Sequence, residues 1–161
     1  MSEDEALTLP VLYGRHASPF VRRVAVTLRL YGIDYSHVPL MPFGSDKAEL
    51  AAFNPIARVP ALRLADGEML VDSAVILDHL DQVAGTRSLT PAAGAARRRV
   101  LTLTAVALGA NEKLVAGTMS VISGRAKPGT SRGWTPATSR FAMALAGSTR
   151  NFPVRGWRDL T

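Results

Sequence analysis

The chain has 161 residues, of which 47% are hydrophobic and 20% charged, a composition that excludes a disordered chain and leaves room for one ordinary domain plus part of another. It has no cysteine, which excludes disulfides, cysteine-based metal sites and a thiol nucleophile. The net charge of +6 is unevenly spread: residues 1–116 hold 12 acids and 12 bases, whereas residues 117–161 hold seven bases and the single acid Asp159. The acidic start, Met1 to Glu5, is not a secretory signal, and no apolar run is expected to span a membrane, since Val100 to Leu108 is too short. A cytoplasmic location follows as the default expectation.

Leu9 to Tyr13 reads as a short apolar strand ending at Gly14. Ser18-Pro19 then opens a helix, because Ser accepts hydrogen bonds from orphan N–H groups and Pro is tolerated at the first helical position. Phe20, Val24, Leu28 and Tyr31 recur at helical spacing, and Gly32 is a natural stop. Arg22, Arg23 and Arg29 fall on other faces of this helix. Tyr35 to Leu40 predicts a second strand, placed at an edge or ended by Pro39. Ser45 to Phe53 predicts a short helix capped by Ser45 and stopped before Asn54-Pro55.

Ala61 to Leu64 is a strand, Asp66-Gly67 a hairpin turn, and Glu68 to Val71 the returning strand. Ser73 to Val83 predicts a helix whose apolar face contains Val75, Ile76, Leu80 and Val83, closed by Gly85. The order is βαβαββα. A helix between the first two strands implies a parallel, right-handed crossover, and the Asp-Gly turn makes the last pair antiparallel. That is a thioredoxin-like order.

Residues 1–85 are therefore expected to form a thioredoxin-like domain, 86–94 a linker and 95–161 an incomplete all-α part. Within the last, a helix over about 95–114 carries Arg97-Arg98-Arg99 on a solvated face, followed by an irregular basic tail. Recurrent Gly and Pro leave only Phe141 to Ala146 as a further short helix. His16, His37 and His79 lack ligand-like spacing, so no metal is expected.

Three segments carry chemistry. By residue type alone, Ser18 is an N-cap, Val59-Pro60 an edge turn and Asp72-Ser73 a double N-cap able to meet a small anion. Taken together, Ser18-Pro19-Phe20-Val21-Arg22-Arg23-Val24, Asn54 to Leu62 and Asp72-Ser73-Ala74-Val75-Ile76 resemble, in order and spacing, the glutathione-binding half of the cytosolic glutathione transferase superfamily, in its serine-type form. The resemblance covers Leu9 to Leu114.

It implies a cytoplasmic detoxification enzyme that binds glutathione and passes it to small electrophiles. Ser18 would hydrogen-bond the glutathione sulfur, with His16 or Tyr13 as alternatives. Free thiols have a pKa near 8.5, and lowering it by about two units requires roughly 2.7 kcal/mol of preference for the thiolate. A hydroxyl donor at a helix N-terminus supplies such preference. Val59-Pro60 would be a cis-proline turn whose valine backbone pairs with the cysteinyl unit like an added strand. Ser73 would take the γ-glutamyl α-carboxylate and Asp72 the α-amino group. Arg58 and Lys47 compete for the glycine carboxylate, and Asn54 and Pro55 are structural.

The resemblance also implies a homodimer, with neither nucleic acid nor membrane as a partner. The base-rich, acid-poor tail departs from the family's further long helices. It reads as a truncated or frame-shifted continuation, which leaves a non-catalytic binding module as the alternative function. Phosphate binding through the tail, with Trp134 and Trp157 stacking on bases, is a third reading.

Overall fold

The computed structural model describes residues 9–122, which fall into two units dividing after Arg97. The readings placed on residues 123–161, including the helix over Phe141 to Ala146 and the stacking tryptophans, lie outside the described residues. The first unit contains β1 (Val11–Tyr13), α1 (Pro19–Tyr31), β2 (Ser36–Val38), α2 (Asp46–Phe53), β3 (Ala61–Arg63), β4 (Met69–Val71) and α3 (Ser73–Ala84). A single 3₁₀ turn, Gly85–Arg87, follows α3 where a plain linker was expected.

The sheet order is β2-β1-β3-β4. β1 runs parallel to β2 and antiparallel to β3, and β3 pairs antiparallel with β4. This is the thioredoxin-like arrangement. The strands are shorter than the hydrophobic pattern suggested, three residues each, because pairing ends where the loops begin to turn. Between β3 and β4 the Leu64 N–H donates to the Glu68 carbonyl at 2.8 Å, the Gly67 N–H donates to the Leu64 carbonyl at 3.0 Å, and Gly67 takes φ 92°. The hairpin therefore turns through a three-residue loop with Gly in the left-handed position.

Helix termini follow residue chemistry, with one exception. Ser18 caps α1, and Gly32 ends it with φ 69° while Ile33 donates back to the Leu28 carbonyl at 2.9 Å. Ser45 does not cap α2: its backbone is already helical and its side chain bonds no orphan N–H of the helix. Its hydroxyl donates instead to Asp46, whose other carboxylate oxygen accepts from the Met41 N–H at 2.9 Å and so ties the preceding loop.

Leu12 lies opposite Leu62 in the ladder, and both are fully buried beneath α1 and α3. Val21, Val24, Ala25, Leu28, Ile76, Leu80 and Ala84 complete this core. Of the apolar face expected on α3, Ile76 and Leu80 are buried, but Val75 and Val83 are 52% and 59% exposed. The inward stripe runs instead through Ser73, Ile76, Leu80 and Ala84, a spacing of three and four in which small residues hold the ends.

Tyr31 supplies a polar tie that its place in an apolar stripe concealed. Its hydroxyl donates to Asp81 on α3 and accepts from the Leu89 N–H at 2.8 Å. One phenol thus joins α1, α3 and the segment after the 3₁₀ turn. Burial, and next the Asp81 carboxylate, hold its pKa above the ordinary 10.0.

Gly14 is a second fixed point. A Cβ there would sit 2.6 Å from Val21 Cγ2 and 2.8 Å from Val59 Cβ, and φ is 121°. Only glycine fits this approach of the β1–α1 loop to the chain before β3.

The second unit begins within α4, which spans Gly94–Ile122. The helix passes its expected end near 114 because one glycine, Gly117, costs only about 1 kcal/mol against a helix already formed on either side. Arg98 and Arg99 are exposed, as a solvated face requires, while half-buried Arg97 donates to the Pro91 carbonyl at 3.1 Å. By length and composition alone, Gly94–Met119 is long and apolar enough to cross a bilayer, which corrects the expectation that no such stretch exists. Interior helices of soluble proteins meet the same criteria, and Glu112 and Lys113 would be costly inside hydrocarbon.

Tyr31→Phe should lower stability by about 1–3 kcal/mol in urea unfolding, since the Leu89 N–H loses its acceptor. A group whose folded pKa is raised stabilises below its unfolded value and loses that contribution as pH rises through the folded value. Wild-type stability should therefore fall above pH 10.0, and Tyr31→Phe should flatten that part of the curve. Gly14→Ala should cost at least about 1–3 kcal/mol through overpacking, read as a lower thermal midpoint. An unchanged midpoint would mean that the Val59 contact gives way freely.

Candidate functional site

The sheet register sets three loops side by side. Tyr13 lies opposite Ala61, and Ala61 opposite Val71. Gly14, Pro60 and Asp72 therefore leave the same end of neighbouring strands. The loop after Gly14 carries Ser18, the loop before Ala61 carries Val59-Pro60, and the residues after β4 carry Asp72-Ser73. α1 and α3 both begin here, so the positive ends of two helix dipoles lie at one sheet edge.

Ser18 is half-buried, and its Oγ accepts from the Val21 N–H at 3.4 Å. A hydroxyl has one donor and two acceptor sites, so this contact leaves the Ser18 proton available to an incoming anion. The rings of the two alternatives pack against neighbouring aromatic rings. The Tyr13 ring packs on Phe53 of α2, with centroids 4.6 Å apart. The His16 ring stacks on His37, with centroids 4.1 Å apart and planes within 3°. A His37 ring nitrogen lies 2.7 Å from the Gly14 carbonyl oxygen, bracing the loop that leads to Ser18. Burial, then the positive field of His37, Arg29 and Arg22, lowers the His16 pKa below its ordinary 6.5.

The Val59–Pro60 peptide is cis, as the resemblance implied. Pro60 is buried and Val59 half-buried. Among the described residues no hydrogen bond occupies the Val59 N–H or carbonyl. The loop before it is organised by Asn54, which is fully buried. Its Nδ2 donates to the Arg58 carbonyl at 2.8 Å, and its Oδ1 accepts from the Ile56 N–H at 3.2 Å. Asn54 thus replaces backbone pairing in a loop where Ala57 takes φ 45°. Pro55 is exposed in the same loop.

Asp72 takes φ 70°, uncommon for a residue with a Cβ, and its Oδ1 caps α3 by accepting from the Ala74 N–H at 2.8 Å. Ser73 is the first helical residue, not a second cap, and is 3% exposed. Its Oγ accepts from Arg23 Nη1 at 3.2 Å. Arg23 is half-buried; that burial lowers its pKa and the Asp72 carboxylate opposes the shift. Sequence reasoning placed Arg23 on a helix face and within the Ser18 to Val24 segment, without a role of its own. No local signal marks its role, because its partner lies 50 residues away.

Lys47 and Arg58 are not drawn into this cluster. Both are exposed, and the only described contact of Arg58 is through its backbone carbonyl. Among the described residues, no group of three or more His, Cys, Asp or Glu could hold a metal ion.

The edge therefore combines a free hydroxyl proton at one helix start, an open peptide unit in the middle, and a hydroxyl, a guanidinium and N–H groups at a second helix start. That set suits an extended, peptide-like ligand with anionic groups at separate points.

The family model for the glutathione S-transferase N-terminal domain matches residues 12–88. The GST-like protein YibF of Escherichia coli K12 is 34% identical over 70 residues, which is 44% of this chain and 34% of that protein. A maleylacetoacetate isomerase of Pseudomonas aeruginosa is 37% identical over 75 residues, 44% of this chain and 35% of that protein. The match thus spans about a third of the length of these curated relatives. A glutathione transferase family member from Pseudomonas fluorescens Pf-5, solved with bound glutathione, superposes with a TM-score of 0.69 at 37% identity, covering 85% of this chain and 68% of that one. Sheet order, loop convergence and these likenesses agree: the chain belongs to the cytosolic glutathione transferase superfamily.

Proposed function

We propose that the chain binds glutathione at this edge and transfers it to a small electrophile. The observation that carries the reading is the convergence of the Ser18 hydroxyl, the open Val59 peptide and the α3 N-terminus at one end of the sheet. Glutathione presents a thiol, a peptide unit and a γ-glutamyl α-carboxylate in that order. In this reading the Ser18 proton is donated to the sulfur, the Val59 N–H and carbonyl pair with the cysteinyl backbone, and Ser73 and the α3 N–H groups hold the α-carboxylate. Asp72 keeps one carboxylate oxygen for the α-amino group, the other being engaged as the cap.

Chemically, the thiol proton leaves to solvent, the thiolate is stabilised by Ser18 and the dipole of α1, and with an aryl halide the sulfur bonds to the ring carbon as the carbon–halogen bond breaks and halide departs to solvent with its electron pair. Arg58 and Lys47 remain competing partners for the glycine carboxylate, since long exposed side chains can reach a bound ligand. In this proposal residues 1–85 form the glutathione domain, 86–94 the linker and 95–161 a truncated, incomplete counterpart of the family's helical domain. The chain acts as a cytoplasmic homodimer. Binding without turnover is the second reading, favoured by one observation: Ser18 already has a complete structural role as the α1 cap.

Calorimetry should show saturable glutathione binding, and ligand at about 100 times Kd should add roughly 2.7 kcal/mol of stability. Ser18→Ala should reduce turnover of glutathione with a reactive aryl halide by about 100- to 1,000-fold, the effect of removing one preorganised donor to a developing anion. Glutathione affinity should change by no more than a few-fold. Cap loss should cost about 1 kcal/mol of stability in the same variant. Unaltered turnover in a folded Ser18→Ala protein would remove Ser18 from the chemistry.

A further inference from the structure

Resting on the glutathione reading, we propose that Arg23 is a positioning residue that turns the Ser73 hydroxyl into a committed donor and so selects a free γ-glutamyl α-carboxylate. Arg23 Nη1 donates to Ser73 Oγ at 3.2 Å, across the gap between α1 and α3. A guanidinium only donates, so it occupies a lone pair of the hydroxyl and directs the hydroxyl proton away from itself. Among the described residues that proton has no acceptor, although Ser73 is 97% buried by its 3% exposure. A buried hydroxyl with an unused donor favours an acceptor from outside the fold.

The charge balance points the same way. Arg23 is half-buried and, among the described residues, forms no ion pair. Asp72 attracts it, but one oxygen of that carboxylate caps α3. The guanidinium therefore adds positive charge beside the positive end of the α3 dipole. Burying a cation without a matched anion is unfavourable, and a ligand carboxylate at this point relieves the mismatch. A neutral carboxamide accepts one hydrogen bond without relieving the charge, so the site discriminates between the two.

The test uses the full chain, with glutathione and the analogue whose γ-glutamyl α-carboxylate is converted to a carboxamide. Wild type should prefer glutathione by about tenfold or more, as charge-assisted hydrogen bonds are roughly twice as strong as neutral ones. Arg23→Gln should weaken glutathione binding by about tenfold and raise KM with kcat nearly unchanged, while affecting the carboxamide far less, so that the preference collapses. Arg23→Lys keeps the charge and the stem but not the fork, and should restore part of the preference.

Equal weakening of both ligands by Arg23→Gln would show a purely structural role and overturn the proposal. A preference unchanged in Arg23→Lys and Arg23→Gln would overturn it too. If Arg23→Gln unfolds, Arg23→Lys decides: a fall in preference of about threefold supports the proposal, and an intact preference sinks it. Wild type that binds neither ligand would overturn the glutathione reading as well, whereas wild-type binding with an Arg23-independent preference overturns this proposal alone.

Discussion

α1 and α3 pack side by side over Leu12 and Leu62, and the features at the candidate site depend on that contact. The two leucines are opposite one another at the centre of the sheet and fully buried. Each helix contributes a stripe of buried aliphatic residues against them. Because both helices start at the same sheet end, this packing brings two helix N-termini together. A shift of either helix by one turn, about 5.4 Å, would separate Ser18 from Ser73 and leave the middle loop without neighbours.

Polar contacts refine what the apolar core places. Tyr31 closes the C-terminal end of α1 onto α3, and Arg23 closes the N-terminal end through Ser73. The two ties lie eight residues apart on one helix, so they hold α1 at both ends of its contact with α3. Asn54 does comparable work in the loop before β3, where its side chain substitutes for missing backbone partners and presents Val59. Gly14 then allows that loop to lie against the start of α1. Each of these residues fixes geometry that a larger or less polar side chain could not reproduce.

The stacked histidines belong to the same loop system. His37 holds the Gly14 carbonyl and His16 covers His37, so the segment before Ser18 is braced from β2. Burial, and then the positive charges near it, including Arg29 and Arg22, hold the His16 pKa below its ordinary value.

Much of this was legible in the residue order. Ser18-Pro19, Gly32, Asp66-Gly67 and Asp72 act through bonds to residues a few positions away, so their effects are written locally, and the element order of the first unit follows from them. Ser45 misled, because its backbone is already helical, so its side chain caps no N–H and donates to Asp46, which turns to the preceding loop. Val75 and Val83 misled because periodicity marks an apolar stripe without saying which side meets the core. The extension of α4 past Gly117 was missed because a breaker residue is weak inside a long helix.

The sequence by itself determined the three chemical segments, their order, and the antiparallel turn of the last strand pair. Only the tertiary structure decided that β3 lies beside β1, that Gly14 meets Val59, and that Arg23 reaches Ser73. Those contacts join residues 45 to 52 positions apart, and no local periodicity encodes them. They arise when packing of α1 and α3 on the central strands selects one register, because any other leaves Leu12, Leu62 or Ile76 in water.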